Sequence, residues 1–218
     1  ELFPSRGEIL SLATFGKYIQ NPINEVVIAS STNDISWING DYGYVVGAEI
    51  EARKNIFNFG EEGKNTLSAG LNASYMKTEQ EFDAEKVQRE TNGMYNLNLT
   101  TPKERLTGAS DFLLNADVSY VKAWNNDAEV MATLVYAYYS DRIYAYNNEQ
   151  KGNLIDKGFG TLDFILRTKL NKNIGINFAA RNILNQKFER IQDNASGEVP
   201  ALTYKKGSNF GLSINYQF

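Results

Sequence analysis

The charged side chains of this 218-residue chain alternate with apolar ones, and that limits the chemistry they can do. In YVVGAEIEAR, Glu49, Glu51 and Arg53 share one face of an extended segment, which sets the two carboxylates ~7 Å apart along it. A carboxylate pair can serve as general acid and base, but the neighbouring residues mark no pocket around this one. Asp117, Asp163, Arg167 and Arg181 hold equivalent places in three later segments. The chain contains no cysteine and no histidine. That removes disulfides, thiolate and histidine catalysis, and most zinc or haem ligation. STNDISWINGD (31–41) and IQDNAS (191–196) carry Asp and Asn without the fixed spacing and bidentate Glu of a calcium loop. Neither an enzymatic activity nor a cofactor is expected. A net charge of -4 and a pI near 5.1 lack the basic footprint of a nucleic-acid binder.

The elements that must position these side chains are strands. Tyr44, Val46, Ala48, Ile50 and Ala52 alternate with the residues named above, and Leu67, Ala69, Leu71, Ala73 and Tyr75 with Ser68, Gly70, Asn72 and Ser74. Rows of the same kind run over Leu114–Tyr120, Val130–Tyr138, Leu162–Leu166, Ile174–Ala180 and Phe210–Phe218. A strict period of two is the signature of a strand with one apolar face. An eighth segment, EILSLATFGKY (8–18), alternates more weakly. Its successors are joined alternately by short turns (58–65, 124–127, 171–173) and by long polar connections (19–40, 77–110, 141–158, 185–206). This is the plan of an up-and-down antiparallel meander.

A soluble sandwich or lipocalin-like barrel would also alternate. Three features point to a membrane instead. The seven clear apolar rows contain no charged residue. Segments of about ten residues suit a tilted bilayer crossing, whereas soluble strands are typically ~5–6 residues long. Tyr42, Tyr44, Tyr75, Tyr120, Trp124, Tyr136, Tyr138 and Tyr216 sit near segment ends, where aromatic girdles lie. The mean hydropathy of -0.41 fits this class, because only alternate residues face lipid. The chain begins with Glu1 and shows no apolar leader, as expected of a processed chain or a fragment.

In ELFPSRGEILSLATFGKYIQNPI (1–23), GYVVGAEIEARKN (43–55), LTGASDFLLNADVSY (106–120), YAYYSDRIYAYN (136–147), TLDFILRTKLNKNIGINFAARNILNQKFE (161–189) and GSNFGLSINYQF (207–218), the chain resembles the C-terminal part of a TonB-dependent outer-membrane receptor of the Bacteroidetes type. The resemblance implies an all-β transmembrane barrel of about 22 strands, of which 1–218 would supply about the last eight. It places no plug domain and no TonB box within these residues. It further implies energised uptake of a scarce nutrient (siderophore, haem, cobalamin, glycan or peptide) in the bacterial outer membrane, with outer-membrane lipid, a plug domain and, through it, TonB as partners. Glu49, Glu51, Arg53, Asp117, Asp163, Arg167 and Arg181 become candidates for lining the lumen, where charged groups meet water or plug. The alternative is a complete eight-stranded surface barrel with a structural or adhesive role.

The last segment ends on an aromatic, where most termini are polar and frayed. Phe210, Leu212, Ile214, Tyr216 and Phe218 resemble the signal read by the barrel assembly machinery. Capture of such a strand by backbone pairing is β-augmentation, with the alternate side chains giving specificity.

Overall fold

The alternating rows become strands in the computed structural model, which describes all residues except 6, 29–33, 60–64, 94–102, 125–126 and 148–150. In chain order the elements are β1 (Ile9–Gln20), β2 (Ile23–Val27), β3 (Ile35–Asn39), β4 (Tyr42–Phe59), β5 (Asn65–Glu81), α1 (Ala84–Glu90), β6 (Lys103–Glu104), β7 (Phe112–Ala123), β8 (Glu129–Tyr139), β9 (Arg142–Ala145), β10 (Leu154–Asp156), β11 (Phe159–Lys169), β12 (Ile174–Arg181), β13 (Lys187–Asn194), β14 (Gly197–Lys205) and β15 (Asn209–Tyr216). The expected eight segments are β1, β4, β5, β7, β8, β11, β12 and β15. They lie side by side in that order as one antiparallel sheet, with β6 added at the end of β5. Among the described strands β1 pairs only with β4 and β15 only with β12; apart from a single bridge between Leu10 and Leu2 at the start of β1, the sheet has two open edges.

The register makes the apolar rows continuous from strand to strand. One line runs Leu10, Ala52, Leu71, Ala116, Tyr136, Leu162. Another runs Ala69, Val118, Leu134, Phe164, Ala180, Phe210. Since a shift of one residue would turn a whole strand over, each added strand reinforces the same outer face. That face leaves Leu12, Val46, Leu71, Leu134 and Leu212 exposed. Soluble monomers rarely show so extended an apolar surface; lipid covers it at no cost. A bulge between Asn55 and Phe57 resets the phase of β4, bringing Phe57 and Phe59 opposite Leu67 and Asn65 on the outer side. Phe59 then stacks on Tyr120, 6.3 Å between ring centres, and Lys122 lies 4.8 Å over Trp124. At the opposite rim Tyr18, Tyr42 and Tyr44 form a second aromatic group. These are the two girdles expected of a membrane wall.

The short turns close by local hydrogen bonding. Asn171 Oδ1 accepts from the N–H groups of Asn173 and Ile174 (2.9 and 3.0 Å), and Asp127 adopts a left-handed φ of 62°. Residues 60–64 of the turn after β4 lie outside the described set.

The long connections differ from the loose polar loops their composition suggests. They carry a two-stranded sheet (β2, β3) and a four-stranded sheet in the order β14-β13-β10-β9. A parallel bridge between Val26 and Tyr146 joins the two. The charged stretch after Lys77 continues as strand to Glu81 and then forms α1, capped by Asp83 Oδ1 on the N–H groups of Glu85 and Lys86 (2.9 and 3.1 Å). Val87 turns inward and is buried with Val26, Ile38, Phe82, Ile143 and Tyr146. This core belongs to three different connections. It holds the described parts of these connections together: they bury apolar side chains against one another, which single polar loops cannot do.

Candidate functional site

All seven charged candidates fall on the face of the wall opposite the apolar rows. Arg53, Gly70, Asp117, Val135 and Asp163 form one cross-strand line, with Arg53 to Asp117 and Asp117 to Asp163 each two strands, ~10 Å, apart. Glu51 faces Asn72, and Glu49 faces Ser74, whose hydroxyl lies 3.5 Å from Glu49 Oε1. Gly70 makes room for its neighbour, since a Cβ there would run into the Asp117 carboxylate. No ion pair joins any of the seven among the described residues. Asp163 is held by the backbone, accepting from Asn182 N–H at 2.8 Å. Its carboxylate thereby supports the left-handed Asn182 (φ 54°) that leads out of β12. Arg167 and Arg181 are brought together around an open cavity of about 370 Å³ that Asn177 and Ser213 also line.

On the side of the long connections, sequence reasoning missed two constellations. The first is a buried amide network. Asn24 and Gln80 exchange hydrogen bonds of 2.8 and 2.7 Å, Gln80 Nε2 also donates to Tyr146 Oη, and Tyr146 Oη donates to the Arg105 carbonyl. Asn24, Gln80 and Tyr146 are almost fully buried, so each polar atom must find a partner within the protein. The second is a charge triad. Asp156, 2% exposed, receives Arg190 Nε at 2.6 Å and the Arg142 guanidinium at 3.4 Å. The Arg190 guanidinium also lies 3.1 Å over the Tyr144 ring. One carboxylate between two guanidinium groups leaves a net charge of +1 beside a cavity of about 310 Å³. Short alternations such as Ile143/Ala145 and Phe188/Arg190 were the available signal, submerged in polar sequence.

Lysine bridges tie these connections together. Lys157 Nζ lies 2.7 Å from Asp141 and 3.3 Å from Glu198, and the hydrogen bond it donates to Asp141 raises its pKa above the usual lysine value. Lys86 is raised in the same way by Asp41, 2.9 Å away. Burial pushes the Glu104 carboxyl up.

A continuous apolar face, a charged face opposite it, two aromatic girdles and long connections that carry sheets of their own together describe the wall of an outer-membrane barrel. The family model described as TonB dependent receptor-like, beta-barrel, matches residues 1–183, from the first residue to just past the end of β12. The chain therefore belongs to the TonB-dependent receptor family, and is an outer-membrane protein of receptor and transporter type. The family implies a plug domain and TonB as partners. No curated protein and no solved structure gives a significant match.

Proposed function

We propose that residues 1–218 are the C-terminal barrel portion of a receptor that takes up a scarce nutrient by TonB-coupled transport, supplying about eight strands of a barrel of about 22 together with four extracellular connections. The two open edges of the sheet carry this reading. In lipid an unpaired edge leaves backbone groups without partners, at several kcal/mol each. β1 and β15 would then pair with strands upstream, and the assembled barrel would enclose a plug. In this reading Glu49, Glu51, Arg53, Asp117, Asp163, Arg167 and Arg181 line the lumen and meet water or the plug, and Phe210, Leu212, Ile214, Tyr216 and Phe218 present the strand recognised by the assembly machinery. The cargo belongs to the classes siderophore, haem, cobalamin, glycan or peptide.

The test is the mass of the native protein extracted from outer membranes, combined with uptake or growth with and without TonB. A mass several times 24.5 kDa and loss of uptake without TonB are expected. A heat-modifiable protein near 24.5 kDa would mean that β1 and β15 pair with each other in a small eight-stranded barrel.

A further inference from the structure

We infer that the cavity beside Arg190 is a binding site for a ligand with a single carboxylate next to an aliphatic group, which, granted the receptor reading above, places this chemistry on the transported molecule or a part of it. The cavity lies between the β2–β3 sheet and the four-stranded sheet, with Val27, Ile35, Leu154 and Leu202 as aliphatic wall and Arg190 as the one cation among the described residues that line it. At about 310 Å³ it is at the lower end of the range for small-molecule sites.

Arg190 is built into the site. Asp156 takes its Nε, and the Tyr144 ring supports its guanidinium plane. The side chain is only 17% exposed, so little rotamer entropy remains to be lost when a ligand binds. Its Nη1 and Nη2 groups have no acceptor among the described residues, which leaves the bidentate end of the fork available to a carboxylate. Charge selects the ligand further. The Arg142–Asp156–Arg190 group carries one uncompensated positive charge, which a monoanion neutralises and a phosphate dianion would overshoot. The aliphatic wall favours an apolar substituent close to that anion. Leu202 stands directly opposite Arg190 in the β13–β14 pairing, so the apolar and cationic recognition elements are adjacent.

The experiment uses the whole receptor, purified in detergent from outer membranes, titrated calorimetrically with N-acetyl-L-leucine and with its neutral amide. The acid should bind at least about tenfold more tightly than the amide, the value of a charged hydrogen-bonded pair. Arg190→Lys keeps the charge against Asp156 but loses the fork, and should cost about tenfold for the acid alone. Leu202→Trp fills the cavity beside Arg190 and leaves all three charged residues of the triad in place; it should abolish binding, while the heat-modifiable barrel is retained. Equal affinity for acid and amide, no binding of either, or wild-type binding by Leu202→Trp would overturn the inference. Should Arg190→Lys fail to assemble, Leu202→Trp decides alone. A failed titration in a protein that still shows TonB-dependent uptake sinks this site only; a native mass near 24.5 kDa sinks the receptor reading whatever the calorimetry gives.

Discussion

Asn24 and Gln80 lie 56 residues apart and face each other as a reciprocal amide pair, each side chain donating to the other. The pair fastens β2, from the first long connection, to the end of wall strand β5. Replacing Gln80 with Ala leaves the Asn24 amide and Tyr146 Oη short of partners in a buried place, at a cost of ~1–3 kcal/mol. Hydrogen exchange should accelerate over β2, β3 and α1 and stay unchanged over β7, β8 and β11. Uniform acceleration across the wall would show that the loop layer is not a separate cooperative unit.

Leu71 and Leu134 sit on the lipid-facing lines of the sheet, whereas Asn72 faces Glu51 and Asn115 on the inner side. Leu71→Arg or Leu134→Arg should weaken folding into lipid by ~2–4 kcal/mol if the position is near mid-bilayer, with a much smaller effect for Asn72→Arg. Equal losses in a lipid-folding titration would refute the assigned faces.

Phe218 is fully exposed beyond the end of β15, its ring 5.1 Å from that of Tyr216. The strand is pinned just before it: Gln217 N–H donates to the Asn173 carbonyl at 2.9 Å, and Asn173 Nδ2 donates to the Gln217 carbonyl. Phe218→Ser should therefore leave the unfolding of purified protein almost unaltered. In cells it should strongly reduce the amount of heat-modifiable, surface-exposed barrel, and Tyr216→Ser should act the same way more weakly. Parallel changes in assembly and stability would make the terminal ring a packing group.

Lys157 joins Asp141 and Glu198, and its pKa is raised above the ordinary lysine value of 10.5. A raised folded-state pKa stabilises fully below the unfolded value and is lost as pH rises through the folded one. Proteolysis after β14 should become faster only above about pH 10.5, and Lys157→Met should remove that step. A protease profile flat through this range in the wild type would contradict the bridge.

The wall was legible in the sequence because lipid imposes a binary choice at every residue. All eight strands could be placed, including the weaker β1, whose inner face carries Phe15 packed over Gly47 and so blurs the alternation. Strand ends were less legible. Charges at Lys77, Glu79 and Glu81 read as the start of a loop, yet β5 continues through them, because the ladder runs on past the bilayer where charge costs nothing. The seven charged residues could be assigned to the face opposite the apolar rows by parity alone. The Asp156 triad could not, since it joins two connections (141–158 and 185–206) whose mutual placement has no periodic signal in the chain.

The small core formed by Val26, Ile38, Phe82, Val87, Ile143 and Tyr146 bears on how such a protein changes over time. Three connections contribute to it, so none can be exchanged for a relative's without leaving a hole or a clash in the other two. Transplanting one connection to alter what the receptor accepts should fail where transplanting all three succeeds. Drift in recognition would then proceed by linked substitutions across the set, with the wall beneath unaffected.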